Sequence, residues 1–376
     1  MKFIVSNILA FTLVLLLFSC KNERKNRSSE VKNNSENNIK YAKGFDIQHF
    51  KDHIKLTIKA PYQNSKETFE FILMHSKTTT DLNTIQTPIK SIVVTSTTHI
   101  PMLELLNVED NLVGFSNTNY ISSEKTRALI SKGIIKELGH EENINTELLL
   151  DLHPDVVVGF SLNSNNKMFA VIEKLGIPVL LNGDWLEETP LGRAEWIKFF
   201  GVLFEKEKLA DSIFNDIEND YLEAKAIALK ATNKPTVISG GLFKDIWNLP
   251  AGESFEATFL KDANTNYLWK NTKGKGSLSL NIENVFEKGK EAELWISPSY
   301  YKTVTQLKIA NDMYPKFKAF KTNNIYTYVN NQGENGGVFY FELAPARPDL
   351  VLKDLIKIAH PELLKDYEFT FYERLK

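Results

Sequence analysis

The residues of this 376-residue chain that could do chemistry are aromatic and cationic, not nucleophilic. Its histidines (His49, His53, His75, His99, His140, His153 and His360) form no HExxH and no recognisable metal-ligand cluster. Gly159-Phe160-Ser161 follows a strand-like run, but Asn163 stands where a nucleophile elbow needs glycine. Gly274-Lys275-Gly276 has no strand before it and no third glycine, so it is not a dinucleotide loop. Cys20 is the only cysteine and stands in the leader, so the body holds no thiol and no intramolecular disulfide. No catalytic residue, protein-bound metal or cofactor is expected. The chain instead places Trp185, Arg193, Trp247, Trp269, Tyr300 and Arg347 near the ends of regular segments. Such rings stack on flat surfaces, and guanidinium groups make charge-assisted hydrogen bonds to anions.

The elements that must position these residues alternate. Runs of the buried-strand type occur at Ser91–Thr95, Asn111–Phe115, Pro154–Val158 and Ile177–Leu181, with helical spacing at Ile100–Val108, Thr146–Leu152 and Asn166–Leu175. Strand–helix alternation predicts a parallel sheet covered on both faces. A helix is predicted over Lys206–Lys230, with Leu209, Ile213, Ile217 and Tyr221 apolar and no Gly or Pro within it. It would reach roughly 35–40 Å and make a poor hinge. Beyond Pro235 the alternation resumes, with strands at Thr236–Ser239, Ala292–Ile296 and Asn324–Tyr328 and helices at Gly252–Leu260, Ile282–Lys288 and Leu350–Ala359. The expected fold is α/β: two lobes with mostly parallel sheets, joined by one long rigid helix. Phe45–Met74 alternates apolar and polar around the turn Pro61–Ser65, which predicts a β-hairpin prefix.

The ends bound the location. Met1-Lys2, the apolar run Phe3–Phe18 and Ser19-Cys20 describe a secretory signal, too short for a confident membrane span. A lone cysteine at this place resembles the lipobox of bacterial lipoproteins, which implies acylation at Cys20. Lys21 to about Lys43 is rich in Asn, Lys, Ser and Glu and reads as a disordered tether. The expected organisation is signal peptide 1–20, tether 21–44, prefix 45–88, N-terminal lobe 89–190, linking helix region 191–231 and C-terminal lobe 232–376. The expected location is the cell envelope, lipid-anchored and facing the periplasm or the outer surface. A formal net charge of −2 argues against a nucleic-acid partner.

Several segments resemble the iron-siderophore and cobalamin class of periplasmic binding proteins. They are Met102-Leu103-Glu104-Leu105-Leu106 with Asn111-Leu112-Val113-Gly114, Glu147 through Leu152-His153-Pro154-Asp155-Val156-Val157-Val158, and Leu175-Gly176-Ile177-Pro178-Val179. Arg347-Pro348-Asp349-Leu350-Val351-Leu352-Lys353-Asp354-Leu355 and His360-Pro361-Glu362 also look like this class. The resemblance runs from Pro88 to Pro361 and leaves out the prefix. It implies a monomeric, non-enzymatic protein that captures a metal chelate, most readily an iron-siderophore, and hands it to the membrane subunits of an ABC importer. Cobalamin or haem capture, or surface scavenging without an importer, are its alternatives. The resemblance also gives a role to an internal echo. Asn145-Thr146-Glu147 and Asn281-Ile282-Glu283 each precede a strand, and the two glutamates are expected to dock on importer arginines.

In α/β folds ligands bind at the carboxyl ends of the strands. That rule selects Ser96, Thr97, Thr98 and His99 after the first strand, then Tyr120, Trp185 and Arg193. In the second half it selects Trp247, Tyr267 to Trp269, Tyr300 and Tyr340, with Arg347 before the last helix. Aromatics with arginines suit a flat, partly anionic chelate.

Overall fold

The structure, a computed structural model, describes residues 39–76, 79–140, 143–164 and 167–376. Cys20, the leader and most of the expected tether lie outside the described residues.

The first sheet is fully parallel, in the order Val179–Asn182, Val156–Phe160, Ile92–Val94, Leu112–Phe115, Lys136–Glu137. Its centre reads as an unbroken Val/Ile run because both faces are covered. Side chains alternate across a strand. Val93 and Val157 therefore pack into one apolar cluster, while Ile92, Val94, Val156 and Val158 pack into the other. The second sheet has the order Asn266–Tyr267, Thr236–Ser239, Leu294–Ile296, Ile325–Thr327, Glu373–Arg374. Its first four strands are parallel, and the short C-terminal strand closes the edge antiparallel.

Between the two sheets run the helices Pro190–Ala194, Ile197–Leu203 and Glu207–Ala228. The last has 22 residues and so spans about 33 Å. Its buried stripe is Ala210, Phe214, Ile217, Tyr221, Ala224 and Ala228. The stripe expected from a strict spacing of four drifts around a helix of 3.6 residues per turn, which leaves Leu209 and Ile213 only partly buried. The helix packs on Ile197–Leu203 and on Pro348–Ala359, so it is built into the body along its length.

Two elements exceed the sequence reading. The prefix is a four-stranded sheet, Phe45–His49, Ile54–Lys59, Thr68–Met74 and Thr84–Gln86, whose last pair is parallel. Phe45 on this sheet meets the ring of buried Trp196 at 4.7 Å between centroids. The second half also carries a small antiparallel sheet of Gly241–Phe243, Ile246–Pro250 and Ser277–Leu280.

The end of the expected tether is held in place. The backbone N–H groups of Lys40, Tyr41 and Ala42 donate to the Glu195 carboxylate at 2.7–2.9 Å. Those of Lys43 and Gly44 donate to Glu187. Both acids are buried, so each serves as a cap for backbone groups that would otherwise be orphaned.

Candidate functional site

Two cavities meet at Phe341, which lines both. The larger, about 670 Å³, lies between the lobes. Its first-lobe wall is Thr95, Ser96 and Thr97 after the central strand, Phe115 to Asn117 after the next, and Phe160. Its second-lobe wall is Gly336, Gly337 and Val338. The smaller, about 320 Å³, is a chamber in the second lobe with Phe341 and Tyr300 among its walls. Its walls include Ser297, Ser299, Tyr328, Tyr340, Tyr372 and Glu256. Both open at the carboxyl ends of the strands, where α/β folds bind ligands.

Of the eleven non-glycine residues at positive φ among the described residues, three line these cavities. They are Asn117, Ser297 and Ser299, at φ of 61°, 56° and 65°. Such conformations persist only where surrounding structure enforces them.

The expected site residues divide. Ser96, Thr97 and Tyr120 line the interlobe cavity, and Tyr300 and Tyr340 line the chamber. Tyr120 and Tyr300 are 63% and 69% exposed, free to cover a ligand. Trp185 stands one layer back, its ring 5.7 Å from that of Phe160, which does line the cavity. Arg193 donates from Nη2 to the Trp185 carbonyl at 2.7 Å and lies 3.6 Å over the Phe255 ring. Burial pushes its pKa down, while Asp184 and Glu256 act to hold it up. His99 is buried against Phe200 with no hydrogen bond to either ring nitrogen, and burial lowers its pKa to about 4. It is a neutral core residue.

Trp185 and Arg193 thus line neither cavity, against expectation, and three further expectations need correction. Trp247 is fully buried, stacked on Trp295 at 5.3 Å, and its Nε1–H donates to the Ser239 carbonyl. Its place on the small antiparallel sheet turns the ring into the lobe, away from any ligand. Trp269 is also buried, under the Lys288 ammonium at 5.0 Å. Arg347 holds Asp349 of its own helix through two hydrogen bonds, 2.9 and 2.7 Å, and lies on neither cavity. The cleft therefore lacks the arginine pair expected for an anionic ligand. Sequence reasoning missed Glu256, Tyr328, Phe341 and Tyr372. The one available signal was the Gly333–Gly337 stretch.

That stretch joins the lobes. A Cβ on Gly337 would sit 2.4 Å from the Tyr120 carbonyl oxygen, so only glycine permits this approach. Nearby, the backbone N–H groups of Ser122 and Ser123 donate to Glu342 at 2.7 and 2.9 Å. Glu342 is 2% exposed. Burial, aided by the Glu104 charge, pushes its pKa up to about 7 against the pull of those two N–H groups. A group whose pKa is raised on folding contributes stability that is complete below its ordinary range and lost as pH climbs through its folded value. The fold should therefore lose stability between about pH 4.5 and about pH 7. We expect the melting temperature to fall over this range, and the fall to shrink in Glu342→Gln. An identical pH profile in the variant would dismiss Glu342 as the source.

Glu147 and Glu283 are matched. Each is exposed in the first turn of a helix capped by an asparagine, Asn145 bonding the Leu148 N–H and Asn281 the Asn284 N–H. Neither forms a salt bridge among the described residues.

Residues 92–331 match the family model described as periplasmic binding protein. The chain belongs to the periplasmic binding protein family. The family is one of binding proteins, not enzymes. Among curated relatives, an uncharacterized lipoprotein of Methanocaldococcus jannaschii is 25% identical over 410 residues, covering 99% of this chain and 96% of its own. Among solved structures, a possible iron-binding, periplasmic solute-binding protein of Staphylococcus epidermidis aligns with a TM-score of 0.57 at 18% identity. That alignment covers 72% of this chain and 98% of the other. A periplasmic heme-binding protein of Vibrio cholerae aligns with a TM-score of 0.54 at 16% identity, over 70% and 99% of the two chains. These likenesses show a shared two-lobed fold. The family and the lipoprotein relative place this binding protein in the cell envelope.

Proposed function

We propose that this binding protein captures a bulky metal chelate in the cleft between its lobes and delivers it to an ABC importer. The observation that carries the reading is the cleft itself: preformed, aromatic, and adjoining a second chamber at Phe341. Such a space suits a rigid ligand that arrives with its metal already held. A bare cation needs convergent carboxylates, imidazoles or carbonyls, and among the described residues no three His, Cys, Asp or Glu side chains converge on a common point. The structural neighbours named for iron and heme support the same ligand class. An iron-siderophore is the leading ligand, with haem or cobalamin as the second reading.

Calorimetric titration with ferric siderophores, haem and cobalamin, beside free ferric iron and simple sugars, tests this. Saturable binding is expected for at least one loaded chelate and not for the free metal. Saturable binding of a sugar or of free iron, with none for any chelate, would overturn it.

We further propose that Cys20 is acylated and anchors the protein, which the lipoprotein relative supports. Intact-mass analysis of membrane fractions should show acyl addition at Cys20, and Cys20→Ala should release the protein or leave its signal uncleaved. An unmodified mature N-terminus would sink the idea.

A further inference from the structure

The chamber has an unusual charge. Among the described residues lining the two cavities there is no lysine and no arginine, and Glu256 is the only carboxylate. Glu256 accepts no hydrogen bond from the described residues, and burial holds its pKa above the ordinary carboxylate range although Arg193 pulls it down. Arg193 does not settle this charge, because it also faces Asp184 and Glu187: one guanidinium stands among three acids. A buried acid that shares its one guanidinium with two other acids is costly to keep charged, and a cation entering the cavity would relieve that cost.

The walls fit such a cation. Tyr328 and Tyr340 stack at 4.0 Å between centroids, which closes the faces between them, and Tyr372 meets both edge-on at 5.5 and 5.8 Å, so a cation would meet the ring surfaces and hydroxyl oxygens left towards the chamber. Aromatic faces attract cations through the ring quadrupole, the more so where water is thin. Ser297 and Ser299 add hydroxyl groups that can accept N–H donors. The volume, about 320 Å³, holds a side arm and not a whole chelate.

We propose that the chamber is a subsite for a cationic arm of the ligand, a primary ammonium, with Glu256 as its counter-ion and the tyrosines as its wall. The proposal rests on the cleft being a chelate site. It makes the chelate neutral or cationic overall, with its bulk between the lobes and its charged arm in the chamber.

Calorimetry on the full chain with two probes tests it: ferrioxamine B, whose free terminus is an ammonium, and its N-acetylated derivative, which lacks that charge. The native protein should prefer the ammonium form by tenfold or more. Glu256→Gln should collapse the preference to less than threefold, and Glu256→Asp should retain part of it. An equal affinity for both probes in the native protein, or an unchanged preference in Glu256→Gln, would overturn the subsite. If neither probe binds while other chelates do, or if no chelate binds at all, a thermal-shift comparison still decides the chamber. Hexylammonium should stabilise the native protein and not Glu256→Gln, and 1-hexanol should stabilise neither. No shift with hexylammonium refutes the subsite, whereas failure of every chelate alone refutes the reading of the cleft.

Discussion

Reversing Glu147 and Glu283 together to lysine is expected to abolish importer-dependent uptake while ligand affinity changes by less than about twofold, a margin worth well under 1 kcal/mol. Both glutamates are exposed and neither is engaged by a salt bridge among the described residues. Each stands in the first turn of an asparagine-capped helix, the end where the helix dipole is positive and a carboxylate is favoured. The fold thus holds two free carboxylates at matched places on its two lobes. Two-point charge contact fixes the orientation of a partner and accelerates encounter more than it adds affinity. One surface pair contributes only about 0.2–1 kcal/mol, so either single reversal should give partial loss. The double reversal replaces two attractions with two repulsions. Uptake of radiolabelled chelate, paired with calorimetry on the purified variant, separates the effects. Loss of ligand affinity equal to the loss of uptake would move these residues into the cleft and refute docking.

Glu195→Ala should lower stability by about 3–5 kcal/mol, the range for breaking a buried ionic network from one side. Glu195 is 0% exposed. Its two oxygens take the N–H groups of Lys40, Tyr41 and Ala42 and the Lys198 ammonium at 3.0 Å. Alanine would leave three backbone donors without an acceptor and remove the nearer partner of a buried ammonium, although Asp211 remains at 3.4 Å. Glu195→Gln keeps the shape and part of the acceptor capacity and should cost less. Urea unfolding of both variants checks the order. The alanine variant should also become more sensitive to protease near Lys40, since the chain there would rely mainly on Glu218 through the Lys40 ammonium and the Tyr41 hydroxyl and on Glu187 at Lys43 and Gly44. A loss below about 1 kcal/mol, the worth of an ordinary exposed pair, would mean the segment is not anchored this way.

The sequence by itself determined the α/β class, the two lobes and the long helix between them. Val/Ile runs such as Ile92–Val94 can be satisfied only in a sheet covered on both faces, and the helix signals are local in the same way. Asn145 and Asn281 act on backbone groups three residues ahead, so the matched placement of Glu147 and Glu283 was legible without any tertiary contact. The rule that ligands sit at strand carboxyl ends selected Ser96, Thr97, Tyr120 and Tyr300, which line the cavities, because it depends on topology alone.

Which aromatics face the cleft was decided only by tertiary structure. Trp247 and Tyr300 look alike in sequence, each near the end of a segment. The first is turned inward by pairing with Leu242 and Leu280 in a small sheet whose strands come from separated stretches of chain. The second stands free at the rim. Arg347 was captured by an acid two residues away, while Arg193 was drawn beneath the cleft by Phe255 and by acids from both lobes. Glu256 carried no local mark at all. Its importance comes from a cavity built by Ser239, Tyr328, Tyr340 and Tyr372, residues up to 133 positions apart in the chain, and a cavity is a property of how distant segments fail to fill space. Local periodicity reports which face of an element is apolar, but it does not report which neighbour that face will meet.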